Sequence, residues 1–195
     1  MTAIIDGSAS ATFATPLPVA QGGTGGTTSA TAAASLAAIQ LQTAVVTTSG
    51  TSIDFTGIPA GVKRITIMLN GVSTNGISPP IVQIGSGSLT TAGYVGSVST
   101  TNGTAIGNTL FSNGFYLITT AAASAATNAT GKFEIVLHGT NIYACSGNLG
   151  YGNIAQVSAL AGNLALAGSI DRLRLTTVNG TDAFDAGSVN ISWEF

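Results

Sequence analysis

From Thr43 onward the chain alternates between apolar and polar positions with a period of two. In Lys63–Asn70, Ile65, Ile67 and Leu69 fall on one side and Arg64, Thr66 and Asn70 on the other. Lys132–His138 repeats the pattern with Phe133, Ile135 and Leu137, and Arg172–Thr177 with Leu173 and Leu175. In the last such run, Ser188–Phe195, the inward set is Val189, Ile191, Trp193 and Phe195. This period predicts half-buried strands of antiparallel sheets. Asn-Gly pairs at 70–71, 75–76, 102–103, 113–114 and 179–180, with Ile58-Pro-Ala-Gly, supply the punctuation, because Asn-Gly tolerates the positive φ angles of tight turns. Short strands between frequent turns predict an all-β fold over 43–195, an antiparallel, jelly-roll-like β-sandwich head.

The N-terminal part follows other rules. Between Thr28 and Gln40, Ala32, Leu36 and Ile39 recur at helical spacing, with alanines between them and Thr28 or Ser29 available as a cap. A helix this short is marginal alone in water. The segment 28–42 is expected to be a helical neck, either gathering three chains in a small bundle around Ala32, Leu36 and Ile39 or docked as a single helix on the head. Residues 1–27 show no period, and Pro16 and Pro18 favour an extended path. Fully extended, this tail would reach up to roughly 90 Å. Its apolar residues Ile4, Ile5, Phe13, Leu17 and Val19, bracketed by Pro16 and Pro18, have no core of their own. They are expected to become ordered against a partner.

Composition narrows the function classes. Only 6% of the 195 residues are charged, while 45% are hydrophobic. The mean hydropathy of +0.46 argues against disorder. The polar surface must come from Thr, Ser, Asn and Gly, as in many extracellular β-proteins and virion parts. With a net charge of −2, no long-range field attracts nucleic acid. Arg172 and Arg174, two apart on one strand face, are expected to pair across a sheet. Cys145 is the single cysteine, so no intrachain disulfide forms, and it reads as a small buried hydrophobe. The first residues lack the basic region of a signal peptide, and no apolar stretch is long enough to span a bilayer.

The segment Pro16–Gln40, "PLPVAQGGTGGTTSATAAASLAAIQ", resembles the connector of bacteriophage tail-fibre proteins, where a Gly-Gly-Thr-Gly turn precedes an alanine-rich segment. "IDFTGIPAGVKRITIMLNGVSTNG", "VQIGSG" and "DRLRLTTVNGTDAFDAGSVNISWE" resemble a C-terminal domain of phage fibre and virion proteins. The resemblance implies a virion structural protein, commonly homotrimeric, that projects its head for host-surface attachment. The tail would then dock on another virion protein through Ile4, Ile5, Phe13, Pro16, Leu17, Pro18 and Val19. Such fibres usually carry a long shaft, and this chain has almost none. Attachment to the tail, to the baseplate or to the capsid therefore all stay open. The alternative is a capsid-attached head fibre or decoration protein.

Chemistry is sparse. His138 is the only histidine and falls on the outward side of its strand, where a surface or interface role is favoured over catalysis. Asp182 and Asp185 are the only close carboxylates, and "NGTDAFDAGS" reads as a turn capped by its own side chains. Its spacing does not match a calcium loop, and one Cys with one His cannot make a zinc site. "QGGTGG" lacks the Lys-Ser/Thr of a phosphate loop and reads as a flexible joint. An enzyme such as a polysaccharide depolymerase is disfavoured, and no cofactor or metal is expected. Tyr94, Tyr116, Tyr143 and Tyr151 suit sugar stacking, but a place in the core or a subunit interface is favoured for each, and a host surface glycan is the candidate ligand. The Ser/Thr/Asn/Gly-rich segments 97–108 and 119–130 are candidate contact loops.

Overall fold

The computed structural model describes residues 39–195, and every regular element among them is a β-strand. In chain order these are β1 (Ile39–Leu41), β2 (Val45–Val46), β3 (Ser52–Thr56), β4 (Arg64–Thr74), β5 (Pro80–Ser86), β6 (Ser88–Leu89) and β7 (Val95–Thr101). They continue with β8 (Ile106–Leu110), β9 (Phe115–Tyr116), β10 (Ala129–Gly139), β11 (Ile142–Tyr151), β12 (Gln156–Ala165), β13 (Arg172–Thr177) and β14 (Phe184–Glu194). A nine-stranded sheet runs β1-β14-β4-β10-β11-β12-β7-β8, with β2 also on β14. A five-stranded sheet runs β3-β13-β5-β6, with β9 on β5. One hydrophobic core draws on both sheets, giving a β-sandwich-like, antiparallel all-β arrangement.

The predicted alternation builds that core. Ile65, Ile67 and Leu69 of β4 are buried against Phe133 and Ile135 of β10 and against Val189, Ile191 and Trp193 of β14. Leu173 and Leu175 face inward from β13 in the opposite sheet. Two of the expected inward residues differ. Leu137 is only partly buried, where β10 loses register between Leu137 and Gly139. Phe195, one residue past β14, is 57% exposed because no neighbouring strand covers it.

Asn70–Gly71 is not a turn. β4 runs straight through it, and Gly71 takes a φ of +66°. Beside it β14 breaks register between Ala186 and Ser188, and β10 breaks register between Ala129 and Gly131. Gly187, at φ +90°, lies so close that a Cβ there would collide with the Gly71 carbonyl. Three neighbouring strands thus bulge together, and the bulge changes which residues face inward. Before it β4 buries 65, 67 and 69; after it, 72 and 74. The other four Asn-Gly pairs do lie in connections between strands.

The long polar segments hold more structure than expected. Residues 97–108 fall within a hairpin of β7 and β8, with Asn102 capping its turn by accepting from the Thr104 and Ala105 amides. Residues 119–128 form a turn-rich connection to β10. All four tyrosines are buried, not displayed. The Tyr143 hydroxyl accepts from the Ile170 amide at 2.8 Å, and Tyr94 accepts from the Ile84 amide while donating to the Thr90 carbonyl. Tyr151 donates to the Leu117 carbonyl at 2.6 Å, and Tyr116 bonds the Ser112 hydroxyl. Each ring fills the core, and the hydroxyls of Tyr94, Tyr143 and Tyr151 satisfy buried backbone groups.

The tail anchor positions and Ala32 and Leu36 of the expected neck lie outside the described residues. Ile39, the last residue of the predicted helical stripe, is extended in β1 and exposed.

Candidate functional site

Charge is distributed unevenly over the sheets. On the nine-stranded sheet it gathers on β14, β4 and β10. Arg64 stands 3.6 Å from Glu194 and 3.9 Å from Glu134, and Lys132 is 3.2 Å from Glu134. These pairs are partly solvated and contribute little to stability.

On the five-stranded sheet, Arg174 forks onto Asp54 across the β13–β3 pair at 2.6 and 2.7 Å. This is the cross-sheet pairing expected of it. Arg172 instead pairs with its neighbour Asp171, at 2.7 and 3.1 Å. Asp171 also accepts from the Gly87 amide at 3.0 Å. The Arg172 guanidinium, followed by that amide, holds the Asp171 carboxyl below its ordinary range, and Asp54 likewise raises Arg174. The two pairs flank a shallow cleft of about 280 Å³ that includes Thr56, Ser88 and Leu89. Because each charge there faces its partner, the cleft offers no free charge to an ionic ligand.

Asp182 is a turn residue. It accepts from the Ser78 amide at 2.9 Å and from the Asn179 side-chain amide at 2.6 Å. Asn179 in turn accepts from the Thr181 and Asp182 amides. Gly76 packs against the Asp182 carboxylate so closely that any Cβ there would clash, which explains the glycine of that Asn-Gly turn. Asp185 is exposed at the start of β14. Among the described residues no three His, Cys, Asp or Glu side chains gather as a metal site. His138 is exposed near the end of β10. Cys145 is buried, and burial pushes its thiol pKa up, away from reactivity.

A further site is a groove of about 240 Å³ beside the β7–β8 hairpin. Thr100 holds its frame: its hydroxyl bonds Ser158 at 2.8 Å and accepts from the Thr119 amide at 3.1 Å. Two polar atoms lining the groove, Thr119 Oγ1 and Gln156 Oε1, are buried without a hydrogen-bond partner. Buried polar groups are normally paired, and these two oxygens are left with unused acceptor capacity. Ala105, Ile106, Ala121 and Ala122 complete an uncharged wall. Such a groove suits a small neutral, hydroxylated ligand. Nothing local in the sequence marks Thr119 and Gln156, which are separated by β10 and β11 and line one groove only in the folded chain.

No protein family, curated protein or solved structure matches this chain.

Proposed function

We propose that this chain is a bacteriophage virion structural protein, a short homotrimeric fibre that presents its head for host-surface attachment. The observation that carries this reading is the Gly-Gly-Thr-Gly-Gly connector placed ahead of an all-β head with very few charges. In this reading the tail residues Ile4, Ile5, Phe13, Pro16, Leu17, Pro18 and Val19 dock on another virion protein. The neck residues Ala32, Leu36 and Ile39 gather three chains, and the head is a jelly-roll-like sandwich. The Thr119–Gln156 groove supplies the polar contacts for a host surface glycan, and three copies add avidity to individually weak contacts. No catalytic step is needed.

The test is electron microscopy of particles labelled with antibody against the head. Label at the tail or baseplate is the expected result. Label spread over the shell would replace host attachment by a head-fibre or decoration role. Removal of residues 1–20 should abolish incorporation into particles while leaving the head folded. Truncated protein that still loads onto particles would overturn the anchor.

A further inference from the structure

From Ile65 to Gly131 the sequence contains no charged residue, and from Ile135 to Ile170 only His138 could carry one. The fold collects most of that uncharged chain on one surface. Sheet pairing places Ala144, Ser146 and Asn148 of β11 beside Asn163, Ala161 and Ala159 of β12. Those residues lie beside Val95, Ser97 and Ser99 of β7, and Ser97 and Ser99 beside Leu110 and Asn108 of β8. The outward face of these four strands therefore has no charge and mostly small side chains. Its large side chains are apolar and unusually open: Leu110 is 78% exposed, Ile106 71%, Val95 60% and Val157 55%. The sheet's edge strand β8, "IGNTL", carries none of the devices that normally blunt an exposed edge, neither charge nor proline.

We infer that this face is where copies of the chain's own head pack together. The inference rests on the homotrimer proposed above and names the surface it would use. A charged partner would have to bring its charges against a face with nothing to pair them, whereas a copy of the same face brings none. Small side chains let three such faces gather closely about a common axis, and the exposed Val, Ile and Leu supply what there is to bury. The extent fits a contact that assists assembly without securing it alone. Four strands at about 4.8 Å spacing and about seven residues at 3.3 Å cover on the order of 400 Å². A stable two-body interface needs about 800 Å² per partner.

Sedimentation of the full chain across a dilution series tests this. Wild type should sediment as three copies. Val157→Lys with Leu110→Lys should shift the dissociation midpoint to at least tenfold higher concentration, while Thr56→Lys on the other sheet should not. An unshifted double variant would overturn the inference while leaving the homotrimer intact. A wild type that stays single at every concentration would overturn the homotrimer itself, and a mass of two copies would point to β8 edges pairing instead. Hydroxyl-radical footprinting needs no variant: Leu110 and Val157 should be shielded while Ile77, 76% exposed in the β4–β5 turn, reacts. Equal reactivity at all three positions would also sink the assignment.

Discussion

The outer face of the nine-stranded sheet has two unlike halves. Around β14, β4 and β10 it carries Arg64, Lys132, Glu134 and Glu194, a small network that keeps this half wet. Across β11, β12, β7 and β8 it carries alanine, serine, asparagine and a few open aliphatic side chains. Both halves cover the same core, which draws Ile67 and Phe133 from one and Val98, Leu160 and Leu149 from the other. The difference is confined to the residues that core packing leaves free. A sheet's inward positions answer to packing density, while its outward positions answer to what lies outside. Two outer chemistries on one sheet are what the self-association inferred above would require, with solvent against the charged half and a copy of the head against the other.

The largest effect should come from attacking what the halves share. Phe133→Ala empties a fully buried site in β10, at the boundary between them, and should cost about 3–5 kcal/mol. Thermal unfolding followed by hydrogen exchange should show both halves opening together. If the uncharged half opens first, the two are separate cooperative units and the comparison concerns stability as well as surface. Next in size is Tyr151→Phe on the uncharged side. It removes the hydroxyl from the Leu117 carbonyl and should cost about 1–2 kcal/mol in urea denaturation, with the fold retained.

The charged half should prove nearly indifferent to losing its pairs. Arg64→Ala, between Glu134 and Glu194, should change stability by less than about 1 kcal/mol, and less still in high salt. A larger, salt-insensitive loss would mean that this half is not open to solvent. The smallest effect belongs to Asp171 on the other sheet. Its folded pKa is lowered, so its contribution is present above its ordinary value of 3.8 and is lost as the pH falls through the folded value. Asp171→Asn should therefore be slightly less stable than wild type near neutral pH, and the two should converge in acid. Urea midpoints at both pH values measure the gap.

Much of the head is legible along the chain because burial on one sheet face imposes a period of two. Lys63–Asn70, Lys132–His138, Arg172–Thr177 and Ser188–Glu194 all lie in strands, with the inward residues largely as their spacing predicts. The β7–β8 hairpin is not legible, because Val98 is its only buried apolar residue and its outward Ser and Asn look like loop. The candidate groove is hidden for a related reason. Thr119 and Gln156 are ordinary polar residues until folding buries one side-chain oxygen of each without a partner.

The amino-acid sequence by itself determined that the head is built of antiparallel strands, that no disulfide holds it, and that charge is nearly absent between residues 65 and 170. Alternation, cysteine count and composition are local properties and survive any arrangement of the chain. Only the tertiary structure decided that Asn70–Gly71 bulges rather than turns, that all four tyrosines lie in the core, and that Arg174 meets Asp54, 120 residues away. Only sheet order could gather the uncharged segments on one half of one face. Neighbours across a sheet are set by pairing between strands distant in sequence, and local propensity does not encode that pairing.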